Sequence, residues 1–322
     1  MSFWDLFKTT IGIDPGSDSL RIVHGDQIIF NEPARISFDK KTNKMSGIGG
    51  SSVVSDGQLL LKPMYYSIWD FHAFEMLLRG AIMKGLNMKG RLPKTFKMYF
   101  AIPNGSNEIE KRAYRDSAEH ANAAEVVMIH QSVCAAISLN ILFERRNFIL
   151  IDFSATKVEI SVFIDSRIYS SGNVRMGTWK IHELVVNYVR RRYQVEVNEA
   201  QVAQALLGIE SLNDSKDAQV AIADHQLLVV ELKAILRSYF QIVNDMLLTA
   251  VEMMTRHPYY QRVLANGIFF TGGGAVVNCL REQLLPDLDM SQTVSRTPFL
   301  DNINGLQIAI RDYEKYKHYL MF

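Results

Sequence analysis

Two aspartates end short apolar runs, and each is followed by a turn of small or polar residues. Asp14 ends the run 11–14, and Asp152 ends the run 147–152. A tight turn after a strand directs backbone N–H groups at one place, which makes an anion site. Mg²⁺ binds carboxylates and gives up its waters reluctantly, so both aspartates are predicted to hold it mostly through water.

Three consecutive glycines follow a predicted strand over 267–271. Glycine lets the backbone approach a ligand closely, because no Cβ is in the way. Each motif alone is weakly specific, since an aspartate after a strand is commonly a turn former and a glycine run is commonly a loop. Their order along one chain is more specific. Two facing turns would clamp a polyphosphate, and the flat face for the nucleoside would come from Gly272, Gly273 and Gly274.

Strand and helix signals alternate along the chain, which predicts an α/β fold. Helices are expected at 68–83, 107–122, 132–141, 180–193, 198–207, 226–255 and 277–285. The pattern of strand, aspartate, turn, strand and strand appears at the start and again near 147. We therefore expect two packed lobes with a cleft between them. The first lobe comprises 9–146 and 306–322, and the second comprises 147–305.

The composition, net charge and cysteine spacing argue against several classes of function. The chain has 322 residues, of which 48% are hydrophobic, and a formal net charge of +1. A near-neutral balance gives no argument for binding nucleic acid. The two cysteines, Cys134 and Cys279, fit no metal spacing, and they are typical of a reducing, cytoplasmic compartment. No run approaches the length of apolar residues that spans a bilayer.

Several stretches resemble a known family. Residues 11–20, IGIDPGSDSL, resemble the first phosphate motif of the actin, Hsp70 and sugar-kinase superfamily, and residues 267–275, GIFFTGGGA, resemble its adenosine motif. The stretches 30–34, 101–113 and 187–193 are similar to the bacterial rod shape-determining (MreB/Mbl) family. The match is collinear over about residues 9 to 310. On these motifs the chain is identified as a divergent member of that family.

The resemblance implies an actin-like fold, a duplicated RNase H-like fold with ATP or ADP and Mg²⁺ between two lobes. It also implies self-assembly into filaments on the inner face of the cytoplasmic membrane, where cell-wall synthesis proteins are the expected partners. Gln131 is the residue expected to position the attacking water. The implied nucleotide-binding residues are Asp14, Gly16, Ser17, Asp18, Ser154, Thr156, Lys157, Gly177, Gly272, Gly273 and Gly274.

The chain departs from the family at the nucleotide motifs. The family's second phosphate turn reads Asp-x-Gly-Gly-Gly-Thr-Thr, whereas residues 152–158 read DFSATKV. Here Lys157 is either a point charge near phosphate or a solvated lysine. Residues 177–179, GTW, replace a Gly-Gly-Asp stretch, and Ala203 and Ala205 replace a Lys/Glu pair. The segment 211–224 is also shorter than in the family. We expect weak or absent ATP binding, at most a slow ATPase, and a filament scaffold that persists.

Two other functions remain open. One is a nucleotide-independent adaptor that co-assembles with a standard relative, which the altered second turn favours. The other is a small-molecule kinase on the same fold. A kinase would need a general base, and the scattered histidines include only His130 near the predicted site, where a hydrogen-bonded core role fits better.

Membrane association is expected at one of two places. In the segment 1–8, the aromatic residues Phe3, Trp4 and Phe7 lie within two helical turns and suit a membrane interface. The alternative for this segment is packing of its aromatics on the protein body. The second place is the loop 86–93, where lysine and arginine would meet anionic headgroups.

Overall fold

The computed structural model describes residues 9–52, 55–90, 92–93, 95–213, 218–223, 225–286 and 288–322. These residues form two compact units. The first unit extends to Ile141 and also contains Leu300–Phe322, and the second unit is Leu142–Phe299. The boundaries predicted from the sequence were 146/147 and 305/306. The observed boundaries lie five residues before the first of these and six residues before the second.

The first unit is built on a mixed sheet. Its strands are β1 (Thr9–Pro15), β2 (Ser19–His24), β3 (Gln27–Pro33), β7 (Phe96–Ile102) and β8 (Ala123–His130). The strand order is β3-β2-β1-β7-β8. β1 is antiparallel to β2 and parallel to β7, and β7 is parallel to β8. β1 is buried from Ile11 onward on both faces, as expected for a central strand covered on both sides.

Helices and a small sheet complete the first unit. The small sheet consists of β4 (Ile36–Asp39), β5 (Met45–Ile48) and β6 (Gln58–Leu61), in the order β5-β4-β6. The helices are α1 (Phe71–Gly85), α2 (Glu108–His120), α3 (Gln131–Ser138), α9 (Asp301–Arg311) and α10 (Tyr313–Tyr316). The predicted cap of α2 is confirmed, because Asn107 and Glu110 each accept from the other's backbone N–H.

The second unit repeats the topology of the first sheet. Its strands are β9 (Phe148–Phe153), β10 (Val158–Ile164), β11 (Arg167–Val174), β14 (Ile268–Thr271) and β15 (Gln292–Val294). The order β11-β10-β9-β14-β15 matches that of the first unit strand for strand. β9 is again antiparallel to the strand that follows it and parallel to the neighbour on its other side.

The remaining elements of the second unit correct two predictions. They are α4 (Thr178–Tyr193), α5 (Glu199–Leu207), β12 (Gln219–Ile222), β13 (His225–Leu228), α6 (Val229–Glu252), α7 (Tyr260–Asn266) and α8 (Asn278–Arg281). The helix predicted over 226–255 was wrong at its start, because 225–228 pairs with β12 and buries Leu227 beside its strand partner Val220. The helix predicted over 277–285 is only the four-residue α8.

The boundary between the units follows the packing of α9. Gly305 lies so close to α3 that a Cβ there would be 1.7 Å from the carbonyl oxygen of Cys134. The two helices therefore touch through their backbones, and all of α9 belongs to the first unit. In the described part of the chain, no helix has the length and apolar character needed to cross a membrane.

Candidate functional site

The turn between β1 and β2 closes tightly on itself. The backbone N–H of Gly16 donates to the carbonyl oxygens of Asp14 and Ser19, both at 3.1 Å. A Cβ on Gly16 would lie 2.7 Å from the same oxygen of Ser19. The glycine is therefore required to close this hairpin, whether or not a phosphate binds there.

Asp14 has two donors within its own unit. The residue is 2% exposed, and its carboxylate accepts from Arg21 Nη1 at 3.2 Å and from Gln131 Nε2 at 3.2 Å. Arg21 lies directly opposite Asp14 in the β1–β2 ladder. The structure thus joins two predicted site residues, Asp14 and Gln131, and adds Arg21, which the sequence analysis did not select. The hairpin register carries that signal, because residues equally far from a two-strand turn face each other.

The electrostatic effect of Asp14 extends into the core of the first unit. Burial, followed by the negative charge of Asp14, raises the pKa of the Cys134 thiol well above its usual value. Burial, followed by the charges of Glu110 and Asp14, also raises the pKa of the Tyr114 phenol. Both groups therefore stay neutral at physiological pH and do not share the charge of the carboxylate.

The other predicted residues of this turn interact with neighbouring backbone. The Ser17 hydroxyl donates to the carbonyl oxygen of Tyr65. The side chain of Asp18 is exposed, and its carbonyl oxygen accepts from the N–H of Ala34 at 2.9 Å. These bonds attach the turn to the chain beyond β3 and to the loop before α1.

The second turn, between β9 and β10, is closed by the backbone and the side chain of Ser154. Both the backbone N–H and the hydroxyl of Ser154 donate to the carbonyl oxygen of Lys157, at 3.0 and 3.1 Å. Thr156 is 6% exposed and is therefore directed into the protein. Side chains thus fill space that the family's glycines would leave open.

Lys157 forms a buried ion pair. Its Nζ lies 2.6 Å from Glu159 Oε2, and the two side chains are 12% and 2% exposed. The interpretation of Lys157 as a solvated lysine is therefore wrong. Glu159 in turn lies opposite Asp152 in the β9–β10 ladder, on the same face of the sheet.

The N-terminus of α4 is occupied by this same turn. The N–H groups of Thr178 and Trp179 donate to the carbonyl oxygens of Ser154 and Ala155, at 3.1 and 2.9 Å. Gly177 precedes them, and a Cβ there would lie 2.3 Å from the Ser154 oxygen. The first N–H groups of a helix are its usual anion-binding groups. Two of them here bind the protein's own backbone.

The triple glycine lies beside Asp152 and two phenylalanines. Gly272 has φ +84°, and a Cβ on it would be 2.4 Å from Asp152 Oδ1. A Cβ on Gly273 would be 2.9 Å from the ring of Phe299, and one on Gly274 would be 2.6 Å from the ring of Phe153. The structure therefore brings the glycine run and Asp152 together. The sequence analysis missed both rings, because nothing in their spacing links them to the glycines.

Mg²⁺ and the nucleotide phosphates implied by the resemblance would compete with bonds that these residues already make. Asp14 already faces a guanidinium, and the second turn and the α4 N-terminus bond to each other. Within the described ranges, no three His, Cys, Asp or Glu side chains are grouped to hold a metal ion. Magnesium at Asp14 and Asp152 stays a prediction.

The membrane candidates predicted from the sequence are not fully described by the structure. Phe3, Trp4 and Phe7 lie outside the described residues, as does Arg91 of the second membrane candidate.

Comparison with known proteins establishes the family. The MreB/Mbl protein family model matches residues 8–318. The cell shape-determining protein Mbl of Bacillus subtilis is 24% identical over 311 residues, which is 91% of this chain and 93% of that protein. The cell shape-determining protein MreB of Escherichia coli is 23% identical over 318 residues, covering 92% and 91% respectively.

Solved structures show the same fold. MreB5 of Spiroplasma citri bound to AMPPNP has a TM-score of 0.82 at 18% identity, covering 97% of this chain and 98% of that one. The MamK double helical filament has a TM-score of 0.71 at 16% identity, covering 95% and 99%. The fold is therefore α/β and actin-like, as predicted. The chain belongs to the MreB/Mbl family, and the low identities are those of a divergent member.

Proposed function

We propose that this chain is an actin-like cytoskeletal protein that polymerises into filaments, with ATP binding and hydrolysis weakened relative to its family. Family membership supports the cytoskeletal role, since the relatives are cell shape-determining proteins. A filament structure is known for MamK, which shares the fold. The filaments would lie on the inner face of the cytoplasmic membrane and organise cell-wall synthesis.

The observation that carries the weakened nucleotide chemistry is the closed turn over 154–157. Phosphate binding at such a turn needs free backbone N–H groups and room for the phosphate oxygens. Here the N–H of Ser154 and those of Thr178 and Trp179 already donate to carbonyl oxygens of the protein. Lys157, the one cation in the turn, is held by Glu159 at 2.6 Å. A phosphate would have to displace these bonds, which lowers its affinity.

Residual nucleotide binding has support from the fold neighbours. MreB5 of Spiroplasma citri has been solved with AMPPNP and with ADP. The glycine run of this chain is intact, and Gly272 lies beside Asp152. If the glycine run holds the nucleoside and few contacts reach the phosphates, the site would bind ATP and ADP with similar affinity.

Calorimetric titration of the purified chain with ATP and with ADP tests this proposal. We expect affinities weaker than micromolar, little difference between the two nucleotides, and phosphate release slower than that of a standard family member assayed beside it. Micromolar ATP affinity with turnover equal to that of the standard relative would overturn the weakened-ATPase proposal.

The closed turn also favours a second candidate function. A chain that does not cycle nucleotide is suited to act as an adaptor that co-assembles with a standard relative. Mixing the purified chain with such a relative and pelleting the polymer separates the two candidates. An adaptor pellets only with the relative, whereas a filament former pellets alone.

A further inference from the structure

The two matching hairpins carry opposite charges at equivalent positions. In the first unit, the residue paired with Asp14 across the hairpin is Arg21. In the second unit, the residue paired with Asp152 is Glu159. The duplicated topology therefore places a cation beside the first aspartate and an anion beside the second.

The cation beside Asp14 is half of a largely buried ion pair. Arg21 Nη1 lies 3.2 Å from Asp14 Oδ2, and the side chains are 13% and 3% exposed. Gln131 donates to the other oxygen, Oδ1, at 3.2 Å. Each carboxylate oxygen thus has a donor from the chain itself, and both donors lie on regular elements, β2 and α3.

A guanidinium in this place opposes a divalent cation for two physical reasons. An arginine guanidinium carries a positive charge at physiological pH, so it repels a second cation that approaches the same carboxylate. It also occupies one of the oxygens to which the cation or its waters would bind. The charge that Mg²⁺ would neutralise at Asp14 is already neutralised.

We propose that Arg21 is the built-in counter-cation of Asp14 and that it excludes divalent cations from the first turn. Arg21 is then a specificity-determining residue, since any ligand at this turn binds without a metal ion at Asp14. The inference rests on the proposed family function only in taking Asp14 as the carboxylate that a metal ion would approach.

The test follows cation binding and omits nucleotide altogether. The variants are Arg21→Gln, which removes the charge but keeps hydrogen-bonding capacity, and Arg21→Lys, which keeps the charge. Binding of Mn²⁺ to each protein is measured from the electron paramagnetic resonance signal of the free ion. The same titrations on Asp14→Asn and on the double variant Arg21→Gln, Asp14→Asn assign any site to Asp14.

We expect Mn²⁺ binding by the unaltered chain to be the same with and without Asp14→Asn. Arg21→Gln should bind Mn²⁺ at least tenfold more tightly, and the double variant should lose that gain. Arg21→Lys should behave as the unaltered chain does. Thermal unfolding provides a second readout: millimolar Mg²⁺, at matched ionic strength, should raise the Tm of Arg21→Gln and leave that of the unaltered chain unchanged.

Two results would overturn the inference: Mn²⁺ binding to the unaltered chain that Asp14→Asn abolishes, or an Arg21→Gln protein that gains neither Mn²⁺ affinity nor a Mg²⁺-dependent Tm. If Arg21→Gln folds only in the presence of divalent cation, that dependence supports the inference. Filament formation is not measured in this experiment. A chain that fails to polymerise, but whose variants show the expected changes in Mn²⁺ binding, would overturn the proposed function alone.

Discussion

At Gly272 the backbone passes directly beside the carboxylate of Asp152. The residue has φ +84°, and a Cβ would be 2.4 Å from Asp152 Oδ1 and 2.6 Å from the carbonyl oxygen of Phe153. These contacts are with a buried carboxylate and with backbone, so the neighbours cannot easily move away. The glycine requirement here is built into the second unit itself, independently of any nucleoside.

Gly272→Ala should therefore destabilise the second unit by about 2 to 3 kcal/mol, because a positive φ and a close contact act together. Gly208→Ala is the matched control in the same unit. Gly208 has φ −83°, and its nearest contact would be 3.5 Å away, so we expect a change of at most about 0.5 kcal/mol. Urea unfolding followed by Trp179 fluorescence, with Trp4 and Trp69 changed to Phe, measures this unit. Equal midpoints for the two variants would refute the argument.

The ion pair of Lys157 and Glu159 is the second residue-scale feature with a measurable consequence. Lys157→Met would leave Glu159, 2% exposed, without its partner at 2.6 Å. Removing one partner of a buried pair costs about 3 kcal/mol, because the remaining charge is desolvated and uncompensated. The double variant Lys157→Met, Glu159→Gln should recover much of that loss.

Lys180→Met is the control for this cycle. Lys180 pairs with Glu183 at 3.0 Å on an exposed surface of the same unit, so its loss should change the free energy of unfolding by less than about 0.5 kcal/mol. Urea curves for the unaltered chain, Lys157→Met, Glu159→Gln and the double variant give the coupling between Lys157 and Glu159. A coupling near zero would mean that the pair does not hold the second turn closed.

At the scale of elements, the sequence predicted most helices and strands because their signals are local. The run 107–110 contains a complete capping box, and α2 begins there. Residues 225–228 have no such local mark. Their apolar spacing continues that of α6, and only pairing with 219–222 makes them a strand. The partner strand immediately precedes this segment in the chain, and the pairing of the two strands overrides the helical spacing of 225–228.

The packing of α9 on α3 is an element-scale feature with a sharp test. Gly305→Ala would place a Cβ 1.7 Å from the Cys134 carbonyl oxygen, which forces the two helices apart. We expect a loss of about 3 kcal/mol in the first unit, although alanine is the better helix former. Gly80→Ala in α1 is the control, since its nearest neighbour would be the end of the Ile48 side chain at 3.0 Å.

Gly80→Ala should stay within about 1 kcal/mol of the unaltered chain, because helix propensity offsets a small adjustment of Ile48. Urea unfolding followed by Trp69 fluorescence, with Trp4 and Trp179 changed to Phe, reports on the first unit. If Gly305→Ala is as stable as Gly80→Ala, α9 does not depend on backbone contact with α3.

At the scale of the whole molecule, the order of motifs along the chain was the most informative signal. The actin-like fold was predicted from the phosphate turn near Asp14, the glycine run at 272–274 and the family stretches between them, and the structural likeness confirms it. Less of the candidate site could be predicted from the sequence. Arg21 and Glu159 become visible only through the registers of their hairpins, and Phe299 only through tertiary packing.

The proposed function is a filament former with weakened ATP binding and hydrolysis, so its assembly should depend little on nucleotide turnover. Polymer mass by high-speed pelleting, measured together with phosphate release in the same samples, tests it most directly. The samples contain no nucleotide, ADP or ATP, each with Mg²⁺ and with EDTA. We expect equal polymer mass in all six, with phosphate release near background. Polymer that forms only with Mg²⁺ and ATP, accompanied by phosphate release, would contradict the account.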